Sequence, residues 1–190
     1  IQYSSYSASW LIGKINEEAS LKKLITMPWP YLSIVQMNPP VNIQLAVGWT
    51  RESVGTASMV RKIQSFQAEH PDIYQTFLDE SRRAVQELID SFESCDSKRT
   101  LGAIRKNREA LLMLSEAAGV NIETGKIKKL CAIADSYGMA KSSGAGGGDC
   151  GIAFIDDSSK LSALRSSWLE EGIEPLNLTV SQKGCMICSK

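Results

Sequence analysis

The spacing of hydrophobic and polar positions along this 190-residue chain changes several times, and each change marks an element. Residues 1–6 alternate weakly, as a short strand does. A short helix is expected at residues 9–15 and another helical turn at 21–25. Two β-type runs follow, YLSIVQM and NIQLAVGW, separated by NPPV. Paired prolines cannot continue a ladder, so the two runs are expected to form a hairpin with a loop at the prolines. Over residues 71–93 the spacing becomes three to four. Ile73, Phe77, Leu78, Val85, Leu88, Ile89 and Phe92 then form one apolar stripe, and Pro71 suits a first helical position. Leu101, Ile104, Leu111 and Leu112 stripe a second helix. A third begins with Thr124 as N-cap, turns Ile127, Leu130, Cys131 and Ala134 inward, and closes at Gly138. GIAFI reads as a buried strand. Ser158 is expected to cap a helix with Leu161, Leu164, Trp168 and Leu169 on one face, Gly172 ends it, and IEPLNLTV supplies a last strand. The order is two strands, a helical block, two strands, a helix and a strand. It predicts an α+β fold, with helices packed on a mostly antiparallel sheet and a kinship to the split βαβ plan.

Composition narrows the function only slightly. The chain is 43% hydrophobic and 22% charged, ordinary values for a soluble globular protein. Lysine plus arginine and aspartate plus glutamate number 21 each, so no global field draws the protein to nucleic acid or to an anionic membrane. An anionic ligand must be held by a local device. No apolar run approaches the ~20 residues of a membrane span, and no signal peptide opens the chain. Five cysteines scattered through expected helices and a strand make no disulfide framework, which fits a reducing cytoplasm. Cys185 and Cys188 form a lone CxxC with no further ligands and read as tail thiols rather than a metal site.

The segment KSSGAGGGDCGIAF, residues 141–154, carries the most chemistry. It lacks the Gly-Lys-Ser/Thr ending of a nucleoside-triphosphate P-loop, because Lys141 precedes the glycines. Gly146, Gly148 and Gly151 fit a dinucleotide fingerprint formally, but a strand follows them where a helix is required. What remains is either a nest of main-chain amides between two strands, able to hold an anion without net charge, or a long hairpin loop whose glycines merely permit positive φ. A simple turn rarely needs Gly-Ala-Gly-Gly-Gly, which favours the nest. Ser142 and Ser143 would add hydroxyls and Lys141 a cation. Asp149 is expected to cap the loop backbone, Cys150 to pack in the core, and His70 to lie on the surface. A second polar group, VGWTRESVGTASMV, passes from strand to helix through Thr50, Arg51, Ser53, Thr56 and Ser58. It reads either as an anion site at a helix N-terminus or as ordinary capping by Ser53 or Thr56. If the two groups were adjacent, they would suit a ligand with two phosphate-like groups.

Together these stretches resemble a known family. KSSGAGGGDCGIAF is similar to the third signature motif of the GHMP small-molecule kinases. Its Asp-Cys-Gly ending, with VGWTRESVGTASMV, FLDESRRAVQELIDSF and IRKNREALLML, resembles the bacterial phosphomevalonate kinases, up to about Val180. The resemblance implies transfer of the ATP γ-phosphoryl, with Mg2+, to 5-phosphomevalonate, a step toward isoprenoids in the cytoplasm. It also implies an N-terminal domain with a Gly-Leu-Gly-Ser-Ser loop, a lysine and a catalytic aspartate, and a ferredoxin-like C-terminal domain. No Gly-Leu-Gly-Ser-Ser segment is present, so the chain is expected to be the C-terminal half. Residues 1–30 would be a remnant of the N-terminal domain, 31–180 the C-terminal domain and 181–190 a tail, inactive without the missing domain. Carried over residue by residue, the motif assigns Ser143, Gly144 and Ala145 to the reacting phosphates. Lys141, Ser142, Gly146, Gly147, Gly148 and Asp149 would shape the loop. Thr56 would lie near the substrate, with Thr50 and Arg51 as weaker candidates, and Asn107 and Arg108 are expected on a solvated helix face. The alternatives are another GHMP enzyme (mevalonate kinase or diphosphomevalonate decarboxylase) or a non-catalytic anion-binding or partner domain.

Overall fold

The computed structural model describes residues 2–5, 14, 20–30, 32–52, 55–144 and 146–180. The chain divides into two compact units at Pro39–Pro40. In the first, β1 (Gln2–Ser5) pairs antiparallel with β2 (Ser33–Gln36), Gln2 facing Gln36 and Ser5 facing Ser33. Between them α1 (Leu21–Thr26) starts at Ser20, whose side chain accepts the Lys23 N–H. Of the expected helix at residues 9–15 only Lys14, which is helical, is described, and the tail at 181–190 lies outside the described residues.

The expected hairpin between YLSIVQM and NIQLAVGW does not form. β2 pairs back with β1, while β3 (Gln44–Trp49) has both edges occupied, by β5 (Cys150–Ile155) and by β6 (Glu174–Leu176). Neither proline has an N–H to offer a ladder, and the connection turns sharply, with Ile43 N–H on the Pro40 carbonyl at 2.9 Å.

The second unit carries the expected α+β order. After β3 come α2 (Thr56–Glu69), α3 (Pro71–Glu93), α4 (Ser97–Ala117) and α5 (Gly125–Ala134). Then β4 (Met139–Ser142), β5, a 3-10 turn (Ser158–Lys160), α6 (Leu161–Glu170) and β6 complete it. The sheet order is β4-β5-β3-β6, every pair antiparallel. Pro71 is in the first turn of α3, and Thr124 caps α5 by accepting the Ile127 N–H. Two boundaries differ from the sequence reading. α5 stops at Ala134, and Asp157 instead of Ser158 does the capping, accepting the Ser159 N–H at 2.9 Å ahead of the 3-10 turn. The last strand is three residues long.

α6 ends in a Schellman motif. Gly172 sits at φ 71°, its N–H meets the Leu169 carbonyl at 3.0 Å, and the Ile173 N–H meets that of Trp168 at 2.9 Å. The main core lies on one face of the sheet, where Ile127 and Leu130 of α5, Leu164 and Trp168 of α6, and Ile155 of β5 are wholly buried. The Trp168 indole N–H donates to the Leu130 carbonyl at 3.1 Å, so the bulkiest core side chain leaves no polar atom unpaired. Gly48 and Gly151 are cross-strand partners beneath Leu130. A Cβ on Gly151 would come within 2.5 Å of Leu130 Cδ2, so α5 rests directly on bare sheet backbone. A second core joins Phe66 of α2, Leu114 of α4 and the Val120–Ile122 turn. Among the described residues no helix is long and apolar enough to cross a membrane.

Candidate functional site: the glycine loop and the start of the second helix

Residues 143–149 link β4 to β5, and the sequence forces their path. Gly144, Gly146, Gly147 and Gly148 adopt φ of 64°, 79°, 83° and 129°, and Asp149 adopts 54°. Side chains rarely tolerate that region, so the loop needs its glycines. Its amides divide into two groups. Those of Ser143, Gly147 and Asp149 donate to the carbonyls of Cys150 (2.9 Å), Ile122 (2.8 Å) and Glu52 (2.5 Å). Those of Gly144, Gly146 and Gly148 meet no acceptor among the described residues. Among the described residues the nest is therefore narrower than the whole run: three amides anchor the loop and three have no acceptor. Ala145 lies outside the described residues, as do Ser53 and the thiols of Cys185 and Cys188.

The two polar groups of the sequence are neighbours. Thr50 is fully buried, its N–H and hydroxyl both donate to the Asp149 carbonyl (2.8 and 2.9 Å), and the Asp149 N–H returns to Glu52. Thr50 thus fastens the strand-to-helix turn to the end of the glycine loop, and its hydroxyl is engaged within the protein. The Lys126 ammonium reaches the Thr50 carbonyl (3.1 Å) and the Glu52 carboxylate (3.4 Å). Arg51, itself at φ 59°, forks onto Glu174 (3.0 and 2.8 Å) and lies over the Trp49 ring. Its charge is therefore shared with a carboxylate. Among the described residues the hydrogen bonds of Asp149 run through its main chain.

A pocket of about 200 Å³ opens beside the loop, lined by Gly147, Ser58, Met59, Lys62, Val120, Asn121 and Thr124. It brings the glycine loop next to the first turns of α2. Thr56 is the first residue of α2, exposed; the cap is Gly55, which offers no side-chain acceptor, so the first-turn amides have none from their cap residue. Lys62 pairs with no acidic side chain among the described residues. Ser142 is buried at the end of β4, and Ser143 is half-buried beyond it. The Lys141 ammonium is half-buried against the Ser142 carbonyl at 3.2 Å, and burial holds its pKa below the ordinary lysine value. Cys150 is partly buried, and burial, then Asp149, pushes its thiol up. His70 is exposed, its ring against Phe66.

Arg108 departs from the expected solvated face. It is mostly buried, forking onto Glu123 at 2.7 and 3.0 Å and reaching Asp135 at 3.0 Å. Asn107 contacts Ser81 at 3.4 Å. Sequence reasoning also missed Lys62 and Lys126, which sit on ordinary helical spacings with nothing local to single them out.

Residues 92–174 match the family described as GHMP kinases C terminal. This segment is a GHMP-kinase C-terminal domain. A curated phosphomevalonate kinase from Streptomyces sp. (strain CL190) is 35% identical over 165 residues, 85% of this chain and 44% of that protein. Among solved structures, the Lin0012 protein from Listeria innocua superposes with a TM-score of 0.83 at 35% identity, over 90% of this chain and 48% of its own. Streptococcus pneumoniae phosphomevalonate kinase, in complex with phosphomevalonate and AMPPNP, gives 0.75 at 31% identity, over 90% and 49%. The chain thus spans about half the length of the relatives it matches. The α+β expectation stands: the four-stranded antiparallel sheet and its helices have the GHMP-kinase C-terminal fold.

Proposed function

We propose that this chain is the C-terminal portion of a phosphomevalonate kinase, residues 31–180 forming its GHMP domain. In the complete protein it would transfer the γ-phosphoryl of ATP to the phosphate of 5-phosphomevalonate, in the cytoplasm. One observation carries the reading. Among the described residues the glycine loop keeps three amides without an acceptor, while Thr50 and Gly147 seat it beside the start of α2, whose cap residue Gly55 offers no side-chain acceptor. Phosphoryl transfer asks a protein chiefly for position and charge neutralisation. The amides of Gly144, Gly146 and Gly148, with the Ser143 hydroxyl, would cradle the transferring group. The first-turn amides of α2, with Thr56 and Lys62, would hold the acceptor's phosphate. ATP fits this amide and lysine chemistry as a phosphate donor. Magnesium is different: among the described residues no three His, Cys, Asp or Glu side chains could enclose a metal ion. No step is assigned to magnesium through this chain. The lysine and aspartate that the resemblance implies would come from the N-terminal half.

The test is ADP formation by the complete protein with ATP and, in turn, 5-phosphomevalonate, mevalonate and diphosphomevalonate. Turnover with 5-phosphomevalonate alone, and none by residues 1–190 without the N-terminal half, is expected. Comparable turnover with another acceptor, or activity of this chain by itself, would overturn the assignment.

A further inference from the structure

We propose that Arg108 and Glu123, which lie outside the loop, are positioning residues that set the shape of the glycine loop through Ile122. Both oxygens of the Glu123 carboxylate accept from one Arg108 guanidinium, at 2.7 and 3.0 Å, in the fork geometry that fixes direction as well as distance. The remaining arm of Arg108 reaches Asp135, which caps the end of α5, at 3.0 Å. Glu123 is 3% exposed, so this pair is shielded from water and from salt. Its hydrogen bond raises the already high pKa of Arg108, and the Cys131 thiol stands 3.9 Å from the same carboxylate.

The residues on either side of Glu123 both meet the site. Ile122 lends its carbonyl to the Gly147 N–H at 2.8 Å, and it is the surface on which Gly146 rests: a Cβ there would lie 2.4 Å from that carbonyl oxygen. Thr124 lines the pocket with Gly147 and caps α5. A second tie comes from Ser115, whose hydroxyl donates to the Val120 carbonyl and accepts the Ile122 N–H at 3.3 Å. Residues 120–124 are thus held from α4 at two points, and the loop is held by them. A glycine loop has little stiffness of its own. Its amides can be pre-arranged for an anion only if something else holds them, and this rigid strip does so. Glu123 itself faces the guanidinium and is not available to a ligand.

The experiment uses the complete protein and two readouts. Hydrogen exchange of peptides spanning residues 143–149 reports loop order whether or not the protein is a phosphomevalonate kinase. Turnover reports its consequence and rests on that reading. Glu123→Gln, which keeps shape and loses charge, and Arg108→Lys, which keeps charge and loses the fork, should speed loop exchange about tenfold or more relative to β5. Ser115→Ala, which leaves the buried ion pair intact, should do the same to a smaller degree. Thr100→Val, which breaks the buried Ser91–Thr100 hydroxyl contact (2.9 Å) between α3 and α4, controls for general destabilisation and should leave the loop-to-β5 ratio unchanged. In kinetics, Glu123→Gln should lower kcat tenfold or more with a smaller change in the KM for ATP. Loop exchange that keeps the wild-type ratio in Glu123→Gln and Ser115→Ala, or that Thr100→Val alters equally, would overturn the clamp. Faster loop exchange with unchanged kcat would keep the clamp and refute the loop's part in the reaction.

Discussion

Gly146→Ala tests most directly whether the loop's path depends on close packing. Two costs meet at this position. At φ 79° a non-glycine residue loses roughly 1–2 kcal/mol to backbone strain. The new Cβ would also stand 2.4 Å from the Ile122 carbonyl oxygen and 2.7 Å from Ile122 Cγ2, so backbone must move. Overpacking of that kind costs about 1–3 kcal/mol. Shifting the carbonyl also stretches the bond from the Gly147 N–H, worth about 1 kcal/mol. The sum is roughly 3–6 kcal/mol. Gly144→Ala supplies the comparison, because φ there is 64° but no heavy atom lies within 4 Å of a built Cβ. It should lose only the strain, roughly 1–2 kcal/mol. Urea denaturation of the two variants beside the parent protein measures the gap. With a slope of about 2 kcal/mol per molar, Gly146→Ala should unfold about 1–2 M earlier than Gly144→Ala. Coincident midpoints would refute the claim that Ile122 sets the loop's position.

Three further outcomes follow from the packing. Trp168→Ala removes a wholly buried ring and its bond to Leu130, and should cost about 3–5 kcal/mol in the same denaturation experiment; a loss under 1 kcal/mol would contradict the core described above. Thr50→Val keeps the volume but drops the hydroxyl donation to Asp149, leaving the Thr50 N–H in place, so stability should fall by about 1 kcal/mol while hydrogen exchange at Asp149 rises. The Cys131 thiol is pushed up by burial and then by Glu123, from an ordinary 9.0 to about 12. The unfolded chain therefore releases that proton first as pH climbs above 9, and the folded state loses roughly 1.4 kcal/mol per pH unit across that window. Cys131→Ala should remove this loss, so parent and variant stability curves measured from pH 7 to 11 should diverge above pH 9 and stay parallel below it.

Local physics made much of the architecture readable. The apolar stripe of α3, Pro71 in its first turn, the cap at Thr124, and Gly172 after α6 each express a rule that acts within a few residues. The glycine run between β4 and β5 was legible for the same reason, since only positive φ angles call for so many bare positions. What failed was nonlocal. β2 and β3 are adjacent in sequence and both β-prone, yet pairing is decided by which edges are free, and β5 and β6 fill both edges of β3. The neighbourhood of Thr50 and Asp149, 99 residues apart, has no signature in either segment alone. Arg108 resembles any charged residue on a helix until Glu123 is brought to it by the turn at residues 118–120. The split of the loop amides into anchoring and unpartnered sets depends on the carbonyls of Ile122 and Glu52, which composition cannot reveal.

The depth at which Trp168 is set has a practical use. An indole with no exposed surface, tied by its N–H to the helix that rests on Gly48 and Gly151, is a built-in optical gauge for this domain. Its emission should stay at short wavelength while α5 keeps its seat and move to the red when the helix lifts. Trp49, 37% exposed at the end of β3 beside Thr50, would register changes near the loop instead. With Trp10 and Trp29 replaced by phenylalanine, a further phenylalanine at one of the two positions separates the signals, so loosening of the core and rearrangement at the loop can be followed apart in a cuvette, without attaching a dye.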